Sequence, residues 1–328
     1  MLSRRLALHL GVSLIIAGSL VGAPAPRAAE LDTVTLDWAY YNPVSLVLKQ
    51  QGWLEEALRP DGIEVRWVQS LGSNKALEFL NAGSLDFGST AGAAALLGKI
   101  NGNPIETVWV YSKPEWTALV TRPDTGINSV EDLKGKRIAV TKGTDPYIFL
   151  LRALAAHGLT GKDVSLVLLQ HDQGRLALER GDVDAWAGLD PMMADVELSK
   201  GYSLFFRDAD ANSYGVLNVR EAFAAEHPDV VAKVLAVYER GRRWALANPG
   251  ELASLLAEAA KLPGPVAAKQ LERTAFVDPT PGAAERDTIV AAGKALQGAE
   301  IIKPDVDVTA VVDGLLQPSF AATVVAGQ

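Results

Sequence analysis

The sequence predicts an α/β protein, and three observations lead there. Short apolar or alternating runs are separated by amphipathic stretches, with turns of only a few residues between them. Three of the runs, at 85–88, 137–140 and 183–187, stop at or shortly before a hydroxyl or acidic residue where a helix can begin. The 328 residues are 48% hydrophobic and 21% charged, which supplies a core and suggests about two domains.

Residues 34–39 alternate as a first strand, and Tyr40-Tyr41-Asn42-Pro43 turns the chain into a helix that Gly52 stops. Residues 63–68 alternate again. A helix over 74–82 carries Leu77, Phe79 and Leu80, and Gly83 is placed to end it. Residues 85–88 form a short buried strand, after which Ser89 or Thr90 is placed to cap an Ala-rich helix through Leu97. Strands follow at 108–111 and 117–121, divided by Lys113-Pro114. Ser129-Val130-Glu131-Asp132 has the form of a capping box with Asp in the usual Glu position. After the strand at 137–140, Asp145 caps an amphipathic helix bearing Ile148, Leu151 and Leu154, which Gly158 stops. A helix over 172–180 ends at Gly181, residues 183–187 form a strand, and Asp190-Pro191 opens another helix with proline at its favoured first position. The strand at 214–219 is followed by an almost wholly helical tail: 228–247, 249–260, 265–273 and 283–296. The alternation predicts parallel sheets.

The first residues are of another kind. Arg4 and Arg5 precede an apolar run over 6–21, and Val21-Gly22-Ala23 or Arg27-Ala28-Ala29 offers a small-residue cleavage site. That is the plan of a signal peptide, expected over 1–29. With no cysteine there is no thiol nucleophile, disulfide framework or lipid-anchored N-terminal Cys. The expected location is therefore the periplasm. A net charge of −8 without basic runs argues against nucleic acid or an anionic membrane as partner. A small anion remains compatible, because helix N-termini can make a cleft locally positive.

Catalytic signals are weak. His9, His157, His171 and His227 lack metal-ligand spacing. Gly88-Ser89-Thr90-Ala91-Gly92 mimics a nucleophile elbow with Thr for Ser but has no evident triad, and Lys142-Gly143-Thr144 lacks the upstream glycine of a phosphate loop. The expectation is a binding protein without metal or cofactor, not an enzyme.

Four segments in order carry a resemblance: 76–90 (ALEFLNAGSLDFGST), Asp132-Leu133-Lys134-Gly135-Lys136, Lys142-Gly143, and Gly181-Asp182-Val183-Asp184-Ala185-Trp186. They resemble the periplasmic solute-binding proteins of ABC importers, in the branch that takes aliphatic sulfonates, taurine and nitrate. The resemblance implies a type II two-lobe periplasmic-binding-protein fold with two crossovers. Lobe one would be 30–115 plus 216–328, with the helical C-terminal tail packed on it, and lobe two 116–215. It implies a monomer that delivers a small sulfonate-like anion or zwitterion to an ABC permease. A thiamine precursor or an aromatic acid would also suit lobes of this design, and a biosynthetic enzyme or a sensor module on the same fold is the alternative.

The ligand loops of the family fall on Tyr40, Tyr41 and Asn42, on Ser89 and Thr90, on Thr144 and Asp145, and on Trp186 to Asp190. Ser89, Thr90 and the amides of Ala91 and Gly92 form the expected anion seat. Pro146 lacks an N–H, so the helix it opens is a poorer one. Asp145 is instead placed to meet an ammonium, which favours an aminosulfonate.

Overall fold

The computed structural model describes residues 31–327. The expected signal peptide, 1–29, lies outside them. Among the described residues eleven strands occur in chain order: β1 (Thr33–Trp38), β2 (Glu64–Gln69), β3 (Phe87–Ala91), β4 (Ile105–Pro114), β5 (Leu119–Thr121), β6 (Arg137–Val140), β7 (Ser165–Leu168), β8 (Ala185–Ala187), β9 (Ser203–Phe206), β10 (Gly215–Arg220) and β11 (Thr274–Ala275). They form two sheets, one in the order β11-β4-β10-β3-β1-β2 and one in the order β7-β6-β8-β5-β9.

The expectation of parallel sheets is corrected, because both are mixed. β1 runs parallel to β2 and β3, and β6 parallel to β7 and β8. β10 is antiparallel to β3 and β4, and β5 antiparallel to β8 and β9. The cause is the connection. A parallel strand needs a crossover element to carry the chain back to its starting end. β5 and β10 arrive from the other sheet through residues 115–118 and 207–214 with no such return, so each enters at the end where its neighbours leave.

This places the C-terminal ends of β1, β2, β3, β6, β7 and β8 on the side where the two connections run. At such ends helices begin and ligands bind in open α/β sheets. The helices that follow these strands are Pro43–Gln51, Ser73–Asn81, Gly92–Ile100, Asp145–Ala156, His171–Arg180 and Met192–Lys200.

A polar stripe runs through the first sheet where apolar packing would be usual. Ser89 donates to Asp37 Oδ1 through both its N–H and its hydroxyl, at 2.8 Å each, and Asn42 Nδ2 donates to Ser89 Oγ at 2.8 Å. Beside it, Thr107 Oγ1 donates to Asn218 Oδ1, and Asn218 Nδ2 donates to Thr90 Oγ1 at 2.8 Å. All six residues are fully buried. Each polar atom left unpaired there would cost about 1–3 kcal/mol, so the network fixes the pairing of β1, β3, β4 and β10.

The helical tail packs mainly on the first sheet, with Val234, Leu235 and Tyr238 of helix Pro228–Ala247 fully buried. It also reaches the second sheet. Arg273, beside β11, contacts both carboxylate oxygens of Asp190 at 3.4 Å and pairs with Glu197.

Candidate ligand-binding site

Between the sheets lie two adjoining cavities. The outer one, of about 380 Å³, is walled on one side by Tyr40, Tyr41, Gln69, Ser70, Leu71, Ala260 and Leu262. Its other wall is His171, Asp172, Arg175, Leu189, Asp190, Pro191 and Met192. The inner one, of about 10 Å³, is bounded by Tyr41, Ser73, Trp116, Thr144, Asp145, Pro146, His171 and Leu189. Tyr41, His171 and Leu189 belong to both.

Helix starts dominate this wall. Helices Ser73–Asn81, Asp145–Ala156 and His171–Arg180 all begin there, and none has a side-chain cap. The first N–H groups of a helix have no partner within it, and each start carries a partial positive charge.

Of the sequence-predicted residues, Tyr40, Tyr41 and Asp190 line the outer cavity, and Tyr41, Thr144 and Asp145 line the inner one. Asn42, Ser89, Thr90 and Trp186 line neither. Asn42 and Ser89 stand behind Tyr41, whose hydroxyl donates to Ser89 O at 3.1 Å. Trp186 is fully buried in the second sheet among Val120, Ala139, Leu178 and Met193.

Ser89 and Thr90 are not helix caps. They lie within β3, and the helix starts at Gly92 after Ala91. Asp37 and Asn218 hold their polar groups in the strand, so the backbone stays extended two residues longer than the hydroxyls suggest. The expected anion seat is also closed by internal bonds. Ala91 N–H donates to Ser73 Oγ, Gly92 N–H to Tyr214 O and Ala93 N–H to Ser213 Oγ.

Asp145 departs from expectation as well. Thr144 is the N-cap residue and Asp145 the first helical one. Its carboxylate is occupied by the two connections. Oδ2 accepts from Trp116 Nε1 at 2.8 Å and from Ser213 N at 2.9 Å, while Oδ1 accepts from Ser213 Oγ at 2.7 Å. Burial pushes the Asp145 carboxyl above its ordinary range against these bonds. Thr117 N donates to Asn212 Oδ1 at 2.9 Å, so the connections are tied to each other too. Asp145 is thus a knot at the crossover, and three of its acceptor sites are taken by the connections.

Asp190 accepts from Ala194 N at 2.8 Å, and burial raises its carboxyl to about 6 even with Arg273 beside it. Helix Met192–Lys200 accordingly starts just after Pro191 rather than on it. Arg175 is held by Glu179 at 2.8 Å and Asp195 at 2.7 Å, which leaves little uncompensated charge at the mouth.

Sequence reasoning missed Ser70, Ser73 and Trp116 as wall residues, and it weighed His171 only as a catalytic group; Leu189, within the expected loop Trp186 to Asp190, lines both cavities. The Gly72-Ser73 start followed by an apolar helix was the available signal for the first two. Nothing local marked Trp116, which is placed by the first crossover.

Similarity to known proteins follows the same lines. Over 232 residues the chain is 29% identical to a Bacillus subtilis protein provisionally named an aliphatic sulfonates-binding protein, covering 70% of each. A protein of the same provisional name from Escherichia coli (strain K12) is 29% identical over 264 residues, 80% of this chain and 82% of that one. Among solved structures, the alkanesulfonate-binding protein from Xanthomonas axonopodis pv. citri bound to MOPS superposes with a TM-score of 0.80 at 24% identity. That match covers 88% of this chain and 99% of the other, and the shared architecture is the periplasmic-binding-protein fold. The family described as NMT1/THI5 like matches residues 44–252, well over half of the chain, and the protein belongs to that family.

Proposed function

We propose that the protein is an extracytoplasmic solute-binding protein that clamps a small organic anion of the sulfonate class and presents it to an ABC importer. In this reading 1–29 is an export signal, 30–115 with 216–328 form lobe one, and 116–215 form lobe two. The observation that carries the proposal is the cleft itself. Three uncapped helix starts from opposite walls meet at the inner cavity, and an outer chamber with apolar residues adjoins it. The outer chamber takes the organic body, and a charged head at its inner end approaches the helix starts, since the inner cavity at about 10 Å³ holds no more than a water.

Size narrows the class. The outer cavity is within the range of about 300–1,000 Å³ typical of small-molecule sites, far more than an inorganic oxyanion fills. Helix starts contribute about 0.3–1 kcal/mol each, and micromolar binding needs roughly 8 kcal/mol. Direct hydrogen bonds and burial of the organic body must therefore supply most of the affinity. The names of the similar proteins support the sulfonate assignment over other anions.

The test is a thermal-shift series on the protein without residues 1–29, using nitrate, ethanesulfonate, butanesulfonate and hexanesulfonate, with carboxylates of matched length. A true ligand at a hundred times its Kd stabilises by about 2.7 kcal/mol. The organic sulfonates are expected to shift the transition and nitrate to leave it unmoved. A shift confined to nitrate or to the carboxylates would refute the assignment.

A further inference from the structure

One wall group has a chemistry the helix starts do not share. His171 opens its helix, is 1% exposed and borders both cavities. Its Nδ1 lies 3.1 Å from Thr141 Oγ1, and that hydroxyl donates its single proton to Leu169 O at 2.8 Å. Thr141 Oγ1 can then only accept from the ring. The proton of the neutral ring is therefore on Nδ1, and Nε2 carries a bare lone pair.

Nε2 is buried and has no hydrogen-bond partner among the described residues. Asn74 Oδ1, across Gly72, is buried and unpartnered in the same sense. A methyl group on Gly72 would stand 3.1 Å from His171 Nε2 and 2.8 Å from Asn74 Oδ1, so both unpartnered atoms face the same corner. Burial drives the ring down to about 3. The charged groups bordering the two cavities are Asp145, Asp172, Arg175 and Asp190, and Arg175 is paired within its own wall. The ring is neutral at pH 7, and its free nitrogen accepts.

Resting on the organic-anion reading of the cleft, we infer that His171 is a specificity-determining residue. Its Nε2 accepts a hydrogen bond from a donor on the body of the ligand, so hydroxyl- or amino-bearing sulfonates are selected over plain ones. A buried acceptor left unsatisfied by a plain ligand is the physical penalty that discriminates. This places ligand polarity at His171, whereas the carboxylate of Asp145 is engaged elsewhere.

The experiment is calorimetric titration at pH 7.5 of ethanesulfonate, 2-hydroxyethanesulfonate and 2-aminoethanesulfonate, with propanoate and 3-hydroxypropanoate beside them. The proteins are the parent, His171→Phe, which fills the ring space without an acceptor, and His171→Gln, which restores one. The parent should prefer the donor-bearing member of a pair by about tenfold. In the Phe variant the preference should shrink to within about twofold with affinity for the plain member retained, and Gln should restore part of it. Equal affinity within each pair for the parent, or a preference that survives in the Phe variant, overturns the inference while leaving the organic-anion reading intact. Binding by none of the five compounds overturns both. Nitrogen-15 spectra of the parent add a readout that does not depend on the variants folding. Nε2 should be unprotonated in the free protein and shift only with donor-bearing ligands, and a protonated Nε2 at pH 7.5 overturns the assignment outright.

Discussion

Two buried carboxylates decide different properties. Asp145 accepts three hydrogen bonds from the crossover segments, and Asp145→Asn leaves one amide nitrogen facing donors. The expected cost is about 1–3 kcal/mol of stability, with amine-bearing and amine-free sulfonates losing affinity equally. Urea unfolding and calorimetry check both parts, and a loss confined to the amine-bearing ligand would restore a direct contact. Asp37 is set by burial. Its carboxyl rises from 3.8 to about 6, offset only partly by Ser89. A group raised in the folded state stabilises fully below its unfolded value, and that contribution is lost as pH climbs through the folded one. Asp37→Asn, neutral throughout, should gain on the parent by about 2 kcal/mol between pH 4 and pH 7. Denaturant titrations across that range should show the gap widening with pH, and a constant gap would contradict the burial argument.

At the scale of elements, close packing is most exposed to test where β10 begins. Gly215 lies under the ring of Tyr111, and a Cβ there would fall 2.2 Å from its Cε2. Gly215→Ala should destabilise by about 1–3 kcal/mol, measured by thermal unfolding, because the ring belongs to the fully buried core of the first sheet. A neutral result would mean that the ring moves freely. Helices were the legible part of the sequence. Gly52, Gly181 and the Pro228 and Pro249 starts mark their ends as the structure has them. Strands β7 and β9 escaped notice, since Ser165–Leu168 and Ser203–Phe206 are four residues each, without alternation or full burial. The candidate site was half legible. Tyr41 and Thr144 precede helices and are visible as such, whereas Ser89 and Thr90 look like caps until Asp37 and Asn218 are seen to hold them in a strand. Those partners are 52 and 128 residues away, beyond any local pattern.

For the molecule as a whole, Arg273 straps the tail to the second sheet through Asp190 and Glu197. Arg273→Met removes the cation from a carboxylate that is 1% exposed, a change that typically costs about 3–5 kcal/mol. We expect lower stability and, in small-angle scattering, a larger ligand-free radius as the two sheets separate. The double variant Arg273→Met with Asp190→Asn should recover part of the stability while keeping the larger radius. An unchanged radius in both would show that the strap does not hold the cleft shut. The two sheets also differ in when they can exist. Every strand of the second comes from one stretch, residues 119–206, and can pair as soon as that stretch is available. The first sheet is interrupted: the bond from Asn218 Nδ2 to Gly88 O spans 130 residues, and β4 meets β3 only through β10. Closing so long a loop is slow and comes late. The second sheet and the β2-β1-β3 part of the first can therefore pair before β10 is in place, and the Thr107–Asn218–Thr90 half of the polar stripe is completed only when β10 arrives.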